Sequence, residues 1–558
     1  MILLLLLFSL VSVSVSTSPL PIVVDLRGSS ITPQVTFAAQ VCSGLFNRLS
    51  PQSVYILSQD VDVTWLEILA PSLPNPPPLF NVSTFLTSCL SNATISTGYI
   101  RYSYKQQQLL IGNLATLASV LNAIPIEENS SLLTNSSKLV FDAQINWFNY
   151  TALNATSYMF LNYANKTSTL CMMNPGLDVH GNPFNPSPPL SNQPDFSLTD
   201  FIVKQKLFTF FLVSACIDGT DEGKLMETMS RSGMWPSPIT VYGYNDAYPI
   251  AGDIFEAETN CVKQHNMGQV ATVGVTNLAY LSGAPPIEKP LLQNPSNYSV
   301  YNKSKTYVTF IIGDGDNIAM VKSSRYDWFN KRLSQCSSNM TVCFPLAWTL
   351  SPHLLTVAPE ILKWYYLNSY STGRDYFVLP PSGALYSYPG SMQPEDQAKF
   401  VTSTEEDSIL MNTSASVSWE WFGTWSAAIN SYFPQYAVNK VVRSFYAVNV
   451  PYMIPIIEFS LNEFFKVLND TVILFKPNEW RGTTGGAIIP PLMYNVSQMA
   501  TFINEWPLGT CSHIYLTSDG GGDLQDFFDL IPYLNEHVQI VDPDALSNLA
   551  IQSHTSKS

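Results

Sequence analysis

The chain has 558 residues, 46% of them hydrophobic, and a formal net charge of −15. That length exceeds one ordinary core and predicts two or three globular domains, which excludes a disordered or fibrous protein. The acidic balance, with no basic stripe to offset it, excludes nucleic acid as a ligand because an acidic surface repels phosphates.

The chain begins with an apolar segment, MILLLLLFSLVSVSVSTS. An uncharged apolar run of about fifteen residues that ends in small side chains has the length of a secretory signal rather than of a membrane span. We therefore expect residues 1–18 to be a signal peptide, and the mature protein to be secreted or to reside in an endomembrane lumen. An uncleaved anchor is the alternative, because the segment lacks the usual positive charge at its start. We predict no later transmembrane segment.

Two further features agree with export. Thirteen N-x-S/T sequons predict N-linked glycans over much of the surface. The eight cysteines are even in number and contain no C-x-x-C motif, so they predict a few disulfides, and we expect Cys336 to pair with Cys343. Neither H-E-x-x-H nor H-x-x-x-H occurs, so we expect no metal and no other cofactor.

The first part of the mature chain has a β-α-β pattern. PIVVDLRG predicts a short buried strand, PQVTFAAQVCSGLFNRL carries apolar residues at helical spacing, and SVYIL predicts a second strand. The helical stretches LLIGNLATLASVLNAI and FSLTDFIVKQKLFTFFLV follow, between Pro-rich loops at 73–80 and 182–194. Residues 19–235 are therefore predicted to form an N-terminal α/β domain.

Short apolar strands recur in residues 236–558, each followed by a polar, Gly-bearing or Pro-bearing loop. Helical stretches such as PEILKWYYLNSY and QYAVNKVVRSFYAV separate them, which predicts parallel pairing through β-α crossovers. Nearly eight units predict a (β/α) TIM-like barrel, although HIYLTSDGGGD and VQIVD are left over. The predicted strands are ITVYGYNDAYP, QVATVGVTN, YVTFIIGDGDN, VCFPLAWTLSPH, DYFVLPPSG, SVSWEWFG, YMIPIIEFS and AIIPPLMYN.

The candidate chemistry lies in GDGDN, directly after the strand YVTFII. In barrels of this kind the reactive groups collect at the C-terminal ends of the strands. In an extended segment the side chains of Asp314 and Asp316 project to one face with Cα atoms about 6–7 Å apart, which suits acid/base catalysis or a hard cation. A plain turn is the alternative, because Asp, Gly and Asn are the standard turn residues.

Further segments resemble a known family. LPPSGALYSYP at 379–389 resembles the signature of the GxGYxYP family of putative glycoside hydrolases, and IIGDGDN is similar to that family's Asp-Gly-Asp-Asn segment. VVDLRG, SGLFNRLSPQSVYIL and TGYIRYSYKQQQLLIGNLATLASVLNAIPI resemble its N-terminal domain. The resemblance implies a barrel-type enzyme that processes sugars outside the cell. Leu385 replaces the signature's second glycine, and a side chain there disfavours a positive φ or the close approach of a ligand.

Glycoside hydrolysis needs two carboxyl groups across a sugar, and aromatic surfaces for the apolar face of its ring. We expect Asp314 or Asp316 to act together with Glu420. Because Glu420 lies between Trp419 and Trp421, desolvation beside an indole would raise its pKa toward that of a general acid. The alternative for Glu420 is a rim carboxylate beside core tryptophans.

Other polar and aromatic residues are predicted near strand ends. Tyr386 and Tyr388 share a face if the segment is extended, which suits stacking on a sugar, with packing as the alternative. The weaker acid or acid/base candidates are Glu458, Asp519 and His353, for which strand-capping, turn and structural roles are the alternatives. The predicted substrate-binding residues are Asn317, Tyr386, Tyr388, Trp348, Trp421, Asn277 and Tyr244.

Three functions are consistent with the sequence, each with a carbohydrate as substrate or ligand. The first is a secreted glycoside hydrolase that acts through paired carboxylates at the C-terminal rim of a barrel. The second is a catalytically silent carbohydrate-binding or lectin-like protein, which Leu385 favours. The third is a metal-dependent carbohydrate esterase with Asp314 and Asp316 on a divalent ion, and the missing histidine pair counts against it.

Overall fold

A computed structural model shows an α/β protein built on parallel sheets. The structure describes residues 20–134, 137–173, 196–210, 212, 215, 219–243, 265–272, 274–339, 342–421, 423–450, 457–482, 491–517 and 522–556. The predicted signal peptide, Tyr244, Asp519, residues 452–456 of the predicted strand YMIPIIEFS and residues 487–490 of AIIPPLMYN lie outside these residues. Within them, no helix has both the length and the apolar character that a membrane crossing requires.

The elements are numbered in chain order within the described residues. The β-strands are β1 (Ile22–Asp25), β2 (Val54–Leu57), β3 (Leu79–Phe80), β4 (Gly98–Tyr102), β5 (Ala123–Glu127), β6 (Leu139–Asp142), β7 (Cys171–Met173), β8 (Phe208–Thr209), β9 (Ile239–Tyr242), β10 (Met267–Val270), β11 (Thr306–Ile312), β12 (Leu346–Thr349), β13 (Asp375–Val378), β14 (Ala415–Trp421), β15 (Ser444–Val450), β16 (Phe465–Leu468), β17 (Val472–Phe475), β18 (Glu479–Trp480), β19 (Cys511–Leu516) and β20 (Val538–Ile540).

The α-helices are α1 (Pro33–Leu49), α2 (Asp60–Leu69), α3 (Val82–Ser91), α4 (Tyr104–Gln107), α5 (Ile111–Leu121), α6 (Ala143–Asn146), α7 (Ala152–Tyr163), α8 (Thr199–Gln205), α9 (Asp221–Ser230), α10 (Leu278–Leu281), α11 (Ile318–Lys322), α12 (Ser324–Ser338), α13 (Leu354–Val357), α14 (Pro359–Thr372), α15 (Pro394–Met411), α16 (Trp425–Ala427), α17 (Val496–Asn504), α18 (Leu524–Leu530) and α19 (Pro543–Thr555). Short 3₁₀ helices cover Gln108–Leu110, Ala164–Lys166, Pro389–Ser391, Phe433–Ala437 and Ile531–Tyr533, and a π-helix covers Ala428–Tyr432.

The N-terminal part contains three small sheets, with strand orders β2-β1-β3, β5-β4-β6 and β10-β9-β7-β8. The predicted β-α-β opening is confirmed by β1, α1 and β2. Helix α1 begins where the side chain of Thr32 accepts a hydrogen bond from Val35 N and where Pro33 takes the first helical position. The sequence predicts β9 and β10 as barrel strands, but β9 pairs with β7, and β10 pairs with β9, in the N-terminal part. The strand pattern predicts parallel pairing and does not specify the sheet that a strand joins.

The C-terminal part contains two larger sheets. One has the order β13-β12-β11-β19-β18, with β20 also paired to β11, and the other has the order β14-β15-β17-β16. Every pair in them is parallel except β16 with β17. The two segments that the sequence count left over, HIYLTSDGGGD and VQIVD, supply β19 and β20, so both belong to the sheet that carries the GDGDN segment.

The closed barrel that we predicted does not form as one continuous sheet within the described residues. The two sheets meet at a single parallel bridge, where Leu379 N donates to Ala415 O at 3.1 Å and Val417 N donates to Leu379 O at 2.8 Å. Three residues, 476–478, separate β17 of one sheet from β18 of the other. The sheets are therefore neighbours along the chain and in space without an unbroken ring of strand pairs.

The inward side chains of both sheets nevertheless pack together in one group, which we call the inner cluster. Residues two apart on a strand share a face, and such residues from seven strands contribute to it. The inner cluster consists of Tyr307, Ile311, Ala347, Val378, Tyr386, Tyr388, Ala415, Val417, Trp419, Tyr446, Val448, Ile473, Phe475, Cys511, Tyr515, Leu546, Leu549 and Ala550.

The opposite faces of these strands pack against helices in a second, larger core. Helix α14 confirms the prediction made from PEILKWYYLNSY. The helix predicted from QYAVNKVVRSFYAV is wrong, because residues 444–450 form β15, whose β-branched and aromatic residues pair with β14 and β17. Disulfides join Cys42 to Cys89 and Cys336 to Cys343. The second of these confirms the predicted pair.

Candidate functional site

The candidate site is built on residues 313–317, which follow β11 and which we call the acid loop. Its central residue, Gly315, lies against β12, and a Cβ atom there would be 1.6 Å from Thr349 O. Gly315 N donates to Thr349 Oγ1 at 2.9 Å, and Gly315 O accepts from Ser351 N at 2.8 Å. Only glycine fits this approach, so the loop is fixed with one aspartate on each side of the contact.

Asp314 occupies the left-handed region, with φ of 61°. Its Oδ2 atom forms an ion pair at 2.6 Å with Arg325, whose side chain is 2% exposed, whereas that of Asp314 is 20% exposed. Arg325 Nε also donates to Gly313 O at 2.9 Å. The guanidinium therefore holds both the backbone of the acid loop and the Asp314 carboxylate, which still reaches solvent.

Asp316, like Asp314, is partly exposed, but it is in a different electrostatic environment. Burial, and secondly the negative charge of Asp314, raise the pKa of Asp316 to about 7. A carboxyl group with that pKa carries a proton for much of the time near neutral pH. The two aspartates thus differ in the way that a proton donor and an ionised partner must differ.

Asn317, which we predicted to bind substrate, has a structural contact that accounts for its place in the motif. Its Oδ1 atom accepts from Ala319 N at 2.9 Å and from Met320 N at 3.4 Å, so it caps the start of α11. The contacts of Asn317 therefore suit the turn alternative. Asp314 and Asp316 are the residues of the motif that we consider further as catalytic candidates.

Tyr515 joins the acid loop to the inner cluster, and the sequence analysis missed it. Asp314 N donates to the Tyr515 hydroxyl at 3.4 Å. Burial raises the pKa of Tyr515 well above its usual range, and the charges of Asp314 and Asp316 add to that effect. The phenol therefore stays protonated beside the two carboxyl groups. The available signal was HIYLTSDGGGD, a strand pattern with His513 and Tyr515 on one face.

Four rings lie in or against the same cluster, and we call them the aromatic wall: Tyr386, Tyr388, Trp419 and Trp421. The Tyr386 and Trp419 rings are 5.0 Å apart, and those of Tyr388 and Trp421 are 6.2 Å apart. Trp419 Nε1 donates to the Tyr388 hydroxyl at 3.2 Å. Trp421 is partly exposed and the other three are buried. Three of the four were predicted as substrate-binding residues, and the structure brings them together.

Glu420, which we predicted to act together with Asp314 or Asp316, has hydrogen-bond partners in other segments. Its side chain points away from Trp419 and is fully buried. Oε1 accepts from Gly390 N at 2.6 Å, and Oε2 accepts from Thr424 Oγ1 at 2.6 Å. The two carboxylate oxygens thus accept from a backbone N atom and from a side-chain hydroxyl, contacts that suit the structural alternative for this residue.

Two further predicted ligands lie elsewhere. Trp348 is 1% exposed, and its Nε1 donates to Asp375 Oδ1 at 2.8 Å. Its ring packs on Phe329 in the larger core, between the strands and the helices. Asn277 is buried, and its amide bonds the backbone of Ile56 at 2.7 Å in both directions. Both side chains serve packing or pairing between elements, because their strand or loop presents them away from the inner cluster.

The remaining candidates have mixed outcomes. His353 hydrogen-bonds Ala384 O at 2.9 Å, and burial lowers its pKa to about 4, so the imidazole is neutral near neutral pH. It joins the signature loop to Tyr242, with ring centroids 5.8 Å apart, rather than acting from an exposed loop. Glu458 is partly buried. Tyr244 and Asp519 lie outside the described residues.

The signature loop accommodates Leu385. This residue is not among the positive-φ residues of the described chain. It packs so closely on Gly268 of β10 that a Cβ at residue 268 would be 2.7 Å from that of Leu385. The next residue, Tyr386, exchanges two backbone hydrogen bonds with Gln269, at 2.9 and 3.0 Å. The leucine therefore packs the loop against β10 in the N-terminal part.

A cleft of about 610 Å³ lies on the outer side, lined by Trp480, Tyr494, Asp526, Asp529 and Tyr533 among others. Neither the acid loop nor the aromatic wall contributes to it, and its two acids are on α18. Across the described part of the chain, no group of three or more His, Cys, Asp or Glu side chains has an arrangement that could hold a metal ion.

The comparisons with known proteins define the class of the C-terminal part. Residues 304–550 match the family model described as "GxGYxYP putative glycoside hydrolase C-terminal domain". The match makes these residues similar to that family's C-terminal domain, and it confirms the resemblance of the GDGDN and signature segments. No curated protein sequence matches the chain.

Solved structures extend the comparison to the fold of the whole chain. The crystal structure of a putative hydrolase from Bacteroides thetaiotaomicron VPI-5482 aligns with a TM-score of 0.72 and 18% identity, over 96% of this chain and 95% of that one. At that identity the likeness shows the fold alone. A 4-alpha-glucanotransferase from Thermococcus litoralis aligns over 44% of this chain and 40% of that one, with a TM-score of 0.28 and 11% identity, too low to carry an argument.

Proposed function

We propose that the chain is a secreted glycoside hydrolase whose reaction takes place at the acid loop. Asp316 is the general acid, and Asp314 is the ionised carboxylate that completes the pair. The observation that carries this proposal is the position of Tyr515. It contacts the acid loop and packs in the same cluster as three rings of the aromatic wall. Through Tyr515 the acid loop contacts the cluster that contains these rings, and this link supports a shared site.

The different environments of the two aspartates support these roles. Asp314 is ion-paired with Arg325, which favours a carboxylate that can act as nucleophile or base. Burial keeps a proton on Asp316 near neutral pH, as a donor to the leaving oxygen requires. The Tyr515 hydroxyl lies beside Asp314 and is available as a hydrogen-bond donor to a sugar oxygen.

The proposal treats the two C-terminal sheets as parts of one opened (β/α) barrel. The shared inner cluster, the bridge at Leu379, and the short connection between β17 and β18 support this view. In such barrels the chemistry lies at the C-terminal ends of the strands. The acid loop leaves that end of β11.

Export belongs to the same proposal. Two disulfides support an oxidising compartment, and the apolar residues 1–18 and the sequons agree with it. We infer that the mature protein is an extracellular glycoprotein, or resides in an endomembrane lumen, and that it acts on carbohydrate there. Mass spectrometry of the purified protein should find an N-terminus after residue 16 or 18 and glycans on sequon asparagines. A secreted protein that starts at Met1 and carries no glycan would contradict this part.

Turnover of a panel of aryl-glycosides and glycans tests the proposed roles. Asp316→Asn should lower kcat by about 10²–10⁴-fold, the usual contribution of a general acid, while the thermal unfolding midpoint at pH 5 stays within a few degrees. The wild-type kcat/KM should fall as pH rises through about 7, where Asp316 loses its proton. Glu420→Gln is the matched control, because Glu420 is a carboxylate of the same region that points out of the inner cluster. Full turnover in both Asp314→Asn and Asp316→Asn would show that the roles are wrong.

A catalytically silent carbohydrate-binding protein is the second candidate, and Leu385 favours it. Its side chain fills the space against Gly268 where the family signature has a glycine. Glycan-array binding that depends on Trp421, together with no product by mass spectrometry, would select this candidate over the hydrolase.

A further inference from the structure

The N-terminal part holds both loops of the candidate site. Strand β10 bonds Tyr386 of the signature loop through the backbone of Gln269. Two residues further along the chain, Ala271 O accepts from Ile318 N, the first residue of α11, at 2.9 Å. Helix α11 begins directly after the acid loop. Residues 269–271 therefore fix the point at which the acid loop becomes a helix.

The other end of α11 is fixed by a buried ion pair that joins distant parts of the chain. Lys322 Nζ lies 2.5 Å from Asp62 Oδ1, and the two side chains are 3% and 0% exposed. The residues are 260 positions apart, with Asp62 on α2. The backbone of Lys322 is held as well, because Lys322 O accepts from Trp65 Nε1 at 2.6 Å. Two residues of helix α2 thus bind the last residue of α11.

Asp62 is held in place by contacts of its own. Oδ1 also accepts from Thr276 Oγ1 at 2.6 Å and from Asn277 Nδ2 at 3.2 Å. Oδ2 accepts from the backbone N atoms of Ser58 and Gln59, both at 2.8 Å. Since a carboxylate has about four acceptor positions, these contacts satisfy it fully and leave it little freedom to move.

We propose that Asp62, in the N-terminal part, is a positioning residue for the acid loop. It fixes Lys322, and Lys322 fixes a five-residue helix that begins next to Asp316. A helix of that length is about 7–8 Å long, so displacement of one end is felt at the other. The inference rests on the proposed function and gives the N-terminal part a role at the acid loop.

The direct readout is the titration of the Asp316 carboxyl group, which needs no substrate. Infrared difference spectra between wild type and Asp316→Asn isolate its protonated C=O band as pH is varied. The charged and titratable groups that act on it are Asp314, Arg325 and Tyr515, and they are present in every sample. We expect Asp62→Asn to loosen α11, admit water to Asp316 and lower its midpoint by about one pH unit or more.

The matched control is Asp375→Asn. Asp375 forms an equally buried ion pair with Arg332. It lies at the N-terminal end of β13, whereas the acid loop follows the C-terminal end of β11 in the same parallel sheet. It should lower stability and leave the Asp316 midpoint unchanged. If Asp62→Asn does not fold, the double variant Asp62→Asn/Lys322→Met removes both charges, so that no uncompensated lysine stays buried. An Asp316 midpoint that equals the wild-type value in the folded Asp62 variant overturns the proposal.

The same samples separate this inference from the proposed function. A shifted midpoint in the Asp62 variant supports the positioning role even if wild-type protein cleaves no glycoside, and that result counts against the hydrolase alone. Cleavage that is lost in Asp316→Asn, with an unmoved midpoint and unchanged kcat in the Asp62 variant, supports the hydrolase and overturns the positioning role.

Discussion

Helix α12 carries two arginines that each pair with an aspartate, and the two pairs have different surroundings. Arg332 and Asp375 are both 0% exposed, and Asp375 is the first residue of β13. Arg325 is also buried, but its partner Asp314 is 20% exposed and follows the C-terminal end of β11. Both pairs join an arginine to an aspartate. They differ in position, because Asp375 lies at the N-terminal end of its strand and Asp314 follows the C-terminal end of its strand.

This difference shows what strand direction adds to a side chain. At the N-terminal end, Asp375 accepts hydrogen bonds from Trp348 Nε1 and Thr372 Oγ1 as well as from Arg332, so its acceptor positions are occupied. At the C-terminal end, Asp314 has a solvent-facing fraction and a carboxyl neighbour in Asp316. A saturated, sealed pair stabilises the fold, whereas an open pair beside a second acid can take part in a reaction.

The largest expected effect is on turnover, and only the pair at the acid loop should show it. Asp314→Asn should lower kcat by about 10²–10⁴-fold, because it removes the ionised member of the acid pair. Asp375→Asn, assayed well below its unfolding midpoint, should keep the wild-type kcat. Steady-state kinetics on the substrate found by the glycoside panel measure both. Equal losses in the two variants would mean that Asp314 acts through the fold.

The next largest effect is on stability, and here the Asp375 variant should lose more than the Asp314 variant. Asp375→Asn should lower the free energy of unfolding by about 3–5 kcal/mol, because Arg332 then keeps an uncompensated buried charge. Asp314→Asn should cost less, about 1–2 kcal/mol, because Asp314 is partly solvated and the buried Arg325 keeps its hydrogen bond to Gly313 O. Urea denaturation compares the two variants. The double variant Arg332→Met/Asp375→Leu should recover most of the loss, and failure to do so would point to strain rather than to the charge.

The stability of the protein should also depend on pH through the acid loop, because Asp316 titrates there. Asp316 has a raised pKa in the folded protein, about 7 against an ordinary value of 3.8, so folding favours its protonated form. Stability therefore falls as pH rises from about 4 to about 7, and the loss is complete above that range. Asp316→Asn removes this loss. Relative to wild type, the variant should gain about 1–3 kcal/mol between pH 4 and pH 8, after a discount for partial exposure.

Asp375→Asn serves as the control for this pH effect, because it retains Asp316. Its unfolding free energy should lie below that of the wild type and should still fall between pH 4 and pH 8. Denaturant titrations at several pH values measure all three proteins. A flat difference between wild type and Asp316→Asn would show that the Asp316 carboxyl titrates normally in the folded chain.

The sequence predicted those parts of the fold that depend on local periodicity. The opening strand, helix and strand follow from apolar spacing, and the strand before GDGDN follows from a β-branched run. The sheet that β9 and β10 join with β7 could not be predicted locally, because the same parallel strand pattern fits either part of the molecule. Tyr515 escaped notice for a related reason, since its strand had no place in the predicted order.

Glu420 shows how one periodicity can be applied and still misread. In a strand, successive side chains point to opposite faces, so Trp419 and Trp421 share one face and Glu420 takes the other. The sequence therefore already separated Glu420 from its neighbouring indoles. What it did not contain was which face looks inward, and that depends on the aromatic wall packing with Tyr515 across the two sheets.

The smallest expected effect follows from that orientation. Glu420→Gln replaces one accepting oxygen by an amide nitrogen, so either Gly390 N or Thr424 Oγ1 loses a charged acceptor. The free energy of unfolding should fall by about 1–2 kcal/mol, the usual effect of weakening a buried hydrogen bond to a charged group. Urea denaturation measures this loss, and kcat should stay at the wild-type value. A loss of kcat without a loss of stability would place the Glu420 carboxylate in the reaction, and the outward direction of its side chain would then have to change when substrate binds.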